Sequence, residues 1–114
     1  MPKTARRDAF AAIADPTRRR LLERLAAGER SVTELTDGAG VTVAAISLHL
    51  QTLRRAGLVS RRVAGRQRYY RLEAAPLREI TEWATRLSAF WEERTNLLQE
   101  LAEKIDAEAD RHQD

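Results

Sequence analysis

The sequence predicts a mainly helical α+β fold, and three observations support this class. Apolar residues recur at helical spacing in several segments, each bounded by a capping residue, a proline or a glycine. One stretch, residues 58–72, changes to β-branched and aromatic residues on both sides of Gly65-Arg66, which predicts a two-stranded hairpin. The segment from residue 75 onward contains no glycine and, after Pro76, no proline, so it predicts one long helix.

Charge divides the chain into two parts. Residues 1–71 hold 15 Lys and Arg against 6 Asp and Glu, whereas residues 72–114 hold 5 against 11. A basic globular part suits a phosphate backbone, although charge alone does not establish nucleic-acid binding. At 114 residues we expect one domain, residues 1–114, with a basic core over 5–72 and the long helix over 75–110.

Several classes of chemistry have no support in the sequence. The chain contains no cysteine, which excludes disulfides, thiolate metal sites and a thiol redox switch. No signal peptide or membrane span is recognisable, so we expect a cytoplasmic protein that does not enter a membrane. Ser47 and His49 lie two apart on a predicted helix and point in different directions, so they do not form a nucleophile–base pair. We expect no catalytic residue, metal site or cofactor, and we interpret His49 as a half-buried packing residue with a local hydrogen bond.

The first two helices are predicted on either side of Asp15-Pro16. Residues 5–14 have one apolar stripe, and the dipeptide both ends that helix and caps the next, which runs to Gly28. The second helix turns Leu21, Leu22 and Leu25 inward. Its four arginines cannot all be buried, and a solvated basic face is favoured over direct phosphate contact: Arg18, Arg19, Arg20 and Arg24.

A helix-turn-helix is predicted next. The Ser31–Glu34 segment matches a capping box that opens a short helix over 33–37, and Ser31-Val32 is also expected to pair briefly as a strand. Glycines at 38 and 40 break the chain before Thr42, which suits the N-cap of the following helix. This layout also occurs in proteins that never touch DNA.

The helix over 42–57 is the candidate recognition helix. Ile46, Leu50 and Leu53 recur at helical spacing, and Gly57 suits a left-handed C-cap. The opposite face carries short side chains at its start and a basic one at its end, so it can approach the major groove closely. The candidate DNA-binding residues on this helix are Thr42, Val43, Ala44, Ser47, Leu48, Gln51 and Arg54.

The hairpin that follows is rich in arginine. Its tip, Gly65-Arg66, can lie in the minor groove of a duplex, where the electrostatic potential is most negative. Arg66 and Arg68 therefore join the candidate DNA-binding residues. The alternative is a sheet edge protected from aggregation by positive charge.

The long last helix has an apolar stripe with a period near 3.5, interrupted by Arg94. A small domain cannot cover such a stripe, so we expect it to meet a second copy of the chain rather than to form an intramolecular lid. The candidate dimer-interface residues on this helix are Leu77, Ile80, Trp83, Ala84, Leu87, Phe90, Trp91 and Leu98, and the family resemblance described below adds Phe10 and Ile13 from the first helix. The segment after Asp106 is expected to fray.

In this order, the elements resemble the ArsR family of bacterial winged helix-turn-helix repressors, from about Arg7 to Trp91. The Phe90–Arg94 run is similar to the branch that lacks metal sites and includes small autorepressors. The residues that carry the resemblance are Asp15-Pro16-Thr17-Arg18, Arg20-Leu21-Leu22, Ser31-Val32-Thr33-Glu34-Leu35, Ile46-Ser47-Leu48-His49-Leu50, Leu53-Arg54-Arg55-Ala56-Gly57-Leu58-Val59, Gly65-Arg66 and Tyr69-Tyr70-Arg71-Leu72.

The resemblance implies a fold with a two-stranded wing and a long C-terminal dimerisation helix. It also implies a homodimer joined through its first and last helices, which represses by occupying a palindromic operator in double-stranded DNA. Val43 and Leu48 stand where relatives often carry polar or basic residues, which suggests apolar contacts with thymine methyl groups. Metal-responsive relatives use cysteine or histidine pairs that this chain lacks, and the sequence does not identify a small-molecule effector.

Two other function classes remain as alternatives. A winged helix can serve as a protein-interaction module that does not bind DNA, with the acidic, aromatic last helix docking a partner. A small enzyme is disfavoured because no acid–base or nucleophile pair is visible.

Overall fold

The computed structural model describes residues 9–112, and it has the α+β composition that the sequence predicts. Residues 9–12 are helical; residues 5–8 of the first predicted helix lie outside the described part. The helices that follow are α1 (Pro16–Ala26), α2 (Val32–Thr36), α3 (Val43–Arg55) and α4 (Ala75–His112). The strands are β1 (Arg30–Ser31), β2 (Val59–Ala64) and β3 (Gln67–Leu72).

The start of α1 is fixed by its own local sequence. A side-chain oxygen of Asp15 accepts a hydrogen bond from the backbone N–H of Arg18 at 3.0 Å, and Pro16 occupies the first turn. The helix ends at Ala26, two residues before the predicted stop at Gly28. The backbone N–H groups of Ala27 and Gly28 bond to carbonyls of the last turn, so the chain leaves the helix before Gly28 takes a positive φ of 142°.

The capping box at Ser31 is confirmed. The Ser31 hydroxyl accepts from the backbone N–H of Glu34 at 3.1 Å, and the Glu34 carboxylate accepts from the backbone N–H of Ser31 at 3.3 Å. Because Ser31 is the N-cap, α2 begins at Val32, one residue before the predicted start. The short strand therefore cannot include Val32, and it lies at Arg30–Ser31 instead.

The sheet has three antiparallel strands in the order β1-β3-β2. In the hairpin, Val59 pairs with Leu72 and Ala64 pairs with Gln67. The third strand, β1, pairs Arg30 with Tyr70. The hairpin is thus joined by backbone hydrogen bonds to the segment between α1 and α2, which orients the wing relative to the helices.

The residues through Ile80 form one compact unit with a closed core. Leu35, Ile46, Leu50, Leu53 and Leu58 are its fully buried large side chains. The leucines of α1 and Tyr70 complete this core. The inward faces predicted for α1 and α3 are therefore confirmed.

The residues from Thr81 form a second unit, which consists of the main part of α4. The helix continues to His112, so the prediction that it frays after Asp106 was wrong. Its apolar side chains are exposed within the single chain. Among the helices described over 9–112, none is both long and apolar enough to cross a bilayer.

Candidate DNA-binding interface

The recognition helix α3 is held by caps at both ends and by its inner face. The Thr42 hydroxyl accepts a hydrogen bond from the backbone N–H of Ala45 at 3.1 Å. At the other end Gly57 has the predicted left-handed conformation, with φ of 77°. Because Ile46, Leu50 and Leu53 are completely buried, the rotation of the helix about its axis is fixed and the opposite face must point outward.

The predicted reading residues lie mostly on that outward face. Val43 is 56% exposed and Leu48 is 63% exposed, although both are large apolar residues. Ala44, Gln51 and Arg54 are also exposed, as is the cap residue Thr42. Ser47 is only half-buried, because its position on the helix is nearer to the buried side than that of Gln51. A face with two exposed apolar side chains is suited to van der Waals contact with base edges.

The end of α3 and the first strand of the wing form an open basic hollow, which we call the arginine hollow. Its lining residues are Gln51, Arg54, Arg55 and Arg61. Register explains the contribution of β2: Arg61 pairs with the buried Tyr70, so both side chains project from the side of the hairpin that faces the core. Three guanidinium groups around one hollow suit the backbone phosphates of a nucleic acid.

Sequence reasoning had selected Gln51 and Arg54 but missed Arg55 and Arg61 as site residues. Arg55 follows Arg54 directly, and this doubling of positive charge at the helix end was a signal that could have found it. Arg61 could have been found from the alternation of β2, because residues 59 and 61 lie on the same face of the strand.

The wing tip has the geometry that the sequence predicts. Ala64 pairs with Gln67, so Gly65 and Arg66 form a two-residue turn, and Gly65 takes a φ of 62°. Arg66 is exposed at this tip. Arg68 is exposed as well and pairs with Val63, itself 64% exposed, on the side of the hairpin that also carries Arg61. Both predicted wing residues are therefore accessible to a ligand.

The other face of the hairpin holds an internal ion pair. The Arg62 guanidinium donates hydrogen bonds to both carboxylate oxygens of Glu29, the shortest at 2.6 Å, and lies 4.5 Å from the centre of the Tyr69 ring. The hydrogen bonds from Arg62 hold the pKa of the Glu29 carboxyl below its usual value. Because this pair joins β2 to the turn after α1, Arg62 supports the wing and is not directed at a ligand.

Arg71 is also occupied within the chain. Its guanidinium donates to the Glu73 carboxylate at 3.3 Å, and the Ser60 hydroxyl donates to the same oxygen at 2.7 Å. The hydrogen bond from Ser60, followed by that from Arg71, lowers the pKa of Glu73. The arginines of the hairpin thus divide into two groups: Arg62 and Arg71 form internal ion pairs, whereas Arg61, Arg66 and Arg68 form none among residues 9–112.

The solvated basic face predicted for the arginines of α1 is confirmed for most of them, since Arg19 and Arg24 are exposed and Arg18 is half-buried. Three of the four also bond to backbone carbonyls. Arg18 donates to the backbone oxygens of Ala12 at 2.6 Å and Ala11 at 3.3 Å, and Arg19 donates to carbonyls at residues 13 and 14. Arg24 donates to the carbonyls of residues 34 and 35. These oxygens lie at helix ends, so the arginines act as C-caps. Arg20 is exposed, as predicted.

His49 is half-buried, as expected, but its hydrogen bond is not local. Its Nδ1 lies 3.3 Å from an Arg18 guanidinium nitrogen and 4.0 Å from an Asp15 carboxylate oxygen. Arginine can only donate, so the shorter contact requires Nδ1 to act as an acceptor. We therefore assign a hydrogen bond from the Arg18 guanidinium to His49 Nδ1. Through this bond His49 connects α3 to the helical end that Arg18 caps.

The predicted dimer-interface residues fall into two groups. Phe10, Ile13, Leu77 and Ile80 are half-buried in the unit that ends at Ile80, and two of them, Ile13 and Leu77, pack against its core. The remainder are exposed in the second unit: Trp83, Ala84, Leu87, Phe90, Trp91 and Leu98. Within residues 9–112, no three His, Asp or Glu side chains come close enough to share a metal ion.

The sequence matches the helix-turn-helix domain family over residues 13–62. It is 41% identical, over 90% of both chains, to the HTH-type transcriptional regulator Rv2034 of Mycobacterium tuberculosis. The transcriptional repressor SdpR of Bacillus subtilis is 32% identical over 65% of this chain and 82% of the relative.

Solved structures agree with these relatives. The ArsR family transcriptional regulator RHA00566 superposes with a TM-score of 0.68 at 30% identity, over 75% of this chain and 94% of that one. The homodimeric winged helix-turn-helix DNA-binding domain Mb0332 of Mycobacterium bovis superposes with a TM-score of 0.63 at 28% identity, over 75% of this chain and 80% of that one. Both the layout of α2, α3 and the wing and these similarities support one assignment. The chain belongs to the ArsR family of winged helix-turn-helix transcriptional regulators.

Proposed function

We propose that this chain is a homodimeric repressor that binds double-stranded DNA and blocks a promoter by occupying a palindromic operator. One observation carries the proposal: the exposed face of α3 lies beside the arginine hollow, so base-reading and phosphate-binding groups share one surface. The homodimeric state of Mb0332 and the repressor activity in the name of SdpR support the same function.

The residues have separate roles in this proposal. Val43, Ala44, Leu48 and Gln51 contact base edges in the major groove, where Gln51 can hydrogen-bond a purine and the apolar pair can pack on thymine methyl groups. Arg54, Arg55 and Arg61 hold the phosphates beside the groove. Arg66 reaches the minor groove from the wing tip, and Arg68 follows the backbone.

Selection of bound sequences from a random DNA pool, followed by binding measurements at several salt concentrations, tests the proposal. We expect an inverted repeat whose half-sites are about one helical turn apart, with affinity falling steeply as salt rises. If the dimer binds no duplex at low salt, the proposed function is wrong. A monomer that does not bind DNA would support the protein-interaction alternative.

Substitutions separate phosphate contacts from base contacts. Arg61→Ala is expected to weaken selected and random duplexes equally, roughly tenfold each, and to reduce the salt dependence by about one phosphate contact. Arg71→Ala is the matched control, because it removes an arginine from the same hairpin but from the internal pair with Glu73. Gln51→Ala should lower the affinity for the selected duplex more than the affinity for the random one. Equal losses of affinity would contradict its role in base reading.

A further inference from the structure

The outer part of the hairpin has no third strand beside it. Strand β1 is only two residues long, and it pairs with Tyr69 and Tyr70 of β3. In the described part of the chain, residues 63–68 therefore form a two-stranded segment, which we call the outer ribbon and which ends at the turn of Gly65 and Arg66. A ribbon of two strands is only marginally stable by itself and twists strongly. The position of Arg66 thus depends on how the base of the outer ribbon is held.

The ion pair between Arg62 and Glu29 lies at that base. Arg62 pairs with Tyr69 across the hairpin, and Tyr69 pairs with Ser31, so these residues form the outermost row in which the sheet has three strands. The Arg62 guanidinium lies over the Tyr69 ring and donates to both oxygens of the Glu29 carboxylate. The pair therefore crosses the middle strand and joins β2 to the turn that precedes β1.

The geometry of this pair suits positioning more than stabilisation. Two hydrogen bonds between a guanidinium and a carboxylate fix their relative orientation, which a single bond from an ammonium group does not do. Both side chains also reach solvent, and ion pairs in contact with water contribute little to the free energy of unfolding. We therefore expect Glu29 to affect the direction of the outer ribbon more than the folding of the chain.

The charge of Glu29 alone predicts the opposite effect on DNA binding. Glu29 is one of six acidic residues within the basic part of the chain, residues 1–71. Removing its charge would by itself strengthen the attraction to phosphate groups, and it would also free Arg62 to bind one of them. A positioning role predicts weaker binding instead, because a wing that is not held in place loses more freedom when it binds. The sign of the change in affinity therefore separates the two roles.

We propose that Glu29 is a positioning residue for DNA binding, which holds Arg66 at the minor groove through Arg62 and the base of the outer ribbon. The inference rests on the proposed function and goes beyond it, because it assigns the placement of the wing to a residue outside the wing. The rotation of α3 is fixed separately by its own buried side chains. Loss of Glu29 should therefore leave the contacts in the major groove in place.

Binding to the duplex selected from the random pool tests the sign of the effect. Glu29→Gln should weaken binding about fivefold. Arg62→Lys, which keeps the charge but loses the forked geometry, should weaken binding by a similar factor. Glu23→Gln is the matched control, because it removes the same charge from an exposed position on α1, and it should leave the affinity unchanged or raise it slightly. Unchanged or tighter binding by Glu29→Gln would overturn the proposal.

A double-mutant cycle with Arg66 tests the route of the effect. Arg66→Ala should weaken binding about tenfold in the natural chain but less than about threefold in Glu29→Gln, because a displaced wing has already lost most of this contact. Arg61→Ala is the control within the hairpin, since Arg61 pairs with Tyr70 in the three-stranded part, and it should cause the same loss in both backgrounds. Equal losses from Arg66→Ala in both backgrounds would contradict the proposed route.

Chemical footprinting at saturating protein concentrations separates positioning from a general loss of structure. Hydroxyl radicals report protection of the sugars along the minor groove, whereas dimethyl sulfate reports protection of guanine N7 in the major groove. Glu29→Gln should lose the minor-groove protection beside each half-site and keep the major-groove protection within it. Equal loss of both protections would indicate a general structural effect and overturn the proposal. If the natural chain binds no duplex at low salt, the proposed function itself is wrong, so the two failures are distinguishable.

Discussion

The two units of this chain use their apolar residues in opposite ways. In the unit that ends at Ile80, the large apolar side chains of α1, α2 and α3 are buried against one another, and Leu35, Leu50 and Leu53 have no exposed surface. In the unit from Thr81, side chains of similar size are about half exposed or more. The first unit completes its core alone, whereas the second unit carries an apolar surface that another molecule must cover. Stability of the first unit and association through the second are therefore expected to respond to different substitutions.

The largest expected effect is a cavity in the first unit. Leu50→Ala should lower the free energy of unfolding by about 2–5 kcal/mol, because the side chain is completely buried and its neighbours can close the space only in part. Urea denaturation, followed by far-UV circular dichroism, measures this loss. Leu97→Ala is the matched change in the second unit, and at concentrations where the chain is monomeric it should cost less than about 0.5 kcal/mol. Equal losses of unfolding free energy in the two variants would show that apolar side chains contribute equally to the stability of both units.

A charge in the apolar stripe of α4 should change association alone. Leu98→Asp should raise the dimer dissociation constant by about a hundredfold or more, since a carboxylate would be buried against apolar groups. Analytical ultracentrifugation measures the constant, and amide hydrogen exchange in α1 and α3 shows whether the first unit remains folded. Gln99→Asp introduces the same side chain one residue away, outside the apolar stripe, and should leave the dimer dissociation constant nearly unchanged. Loss of exchange protection in α1 and α3 of Leu98→Asp would contradict the view that the two units respond to different substitutions.

A hydroxyl at the start of a helix is expected to contribute more to the free energy of unfolding than a hydroxyl in the middle of a helix. Thr42→Ala removes the N-cap of α3 and should lower the free energy of unfolding by about 1 kcal/mol. In the second unit, the Thr95 hydroxyl donates to the Trp91 carbonyl within the same helix, so Thr95→Ala should change stability by less than about 0.5 kcal/mol. Thermal unfolding of both variants tests the difference. A larger loss for Thr95→Ala would mean that α4 depends on this bond.

Lowering the pH is expected to produce the smallest change in stability, and this change should arise in the first unit. The pKa values of Glu29 and Glu73 are lowered by hydrogen bonds from Arg62 and Ser60 respectively. A carboxyl whose folded pKa is depressed stabilises the fold above its unfolded value and loses that contribution as the pH falls through the folded value. The melting temperature should therefore fall as the pH drops below about 4.5, the ordinary value for glutamate. In Glu29→Gln this decline should be shallower; an unchanged decline would exclude a role for the Arg62 pair.

The features that the sequence predicted correctly depend on residues close together in the chain. The caps at Asp15, Ser31 and Thr42 each join a side chain to a backbone group three residues away, so their patterns are visible without the fold. The turn at Gly65 is local in the same way. The exposed face of α3 could also be predicted, because the buried residues on the opposite side follow the helical period.

The features that were missed depend on contacts between separate elements of the fold. Arg18, Arg19 and Arg24 bond to carbonyls presented by other helices, and composition alone does not show where a helix end will lie. The pair between Arg62 and Glu29 spans 33 residues, so the sequence could not separate the structural arginines of the wing from those on the ligand side. Arg61 differs, since the alternation of β2 already places it on the same face as Val59, but only the fold brings it beside Arg54 and Arg55.

The hydrogen bonds of Arg18 connect α3 to the helical segment at residues 9–12. One guanidinium bonds to the backbone at residues 11 and 12 and also to His49, which lies on α3 one residue after Leu48. A force that moves residues 11 and 12 is thus transmitted to the middle of α3 through a single planar group. The position of the candidate recognition helix is consequently expected to respond to strain at residues 11 and 12.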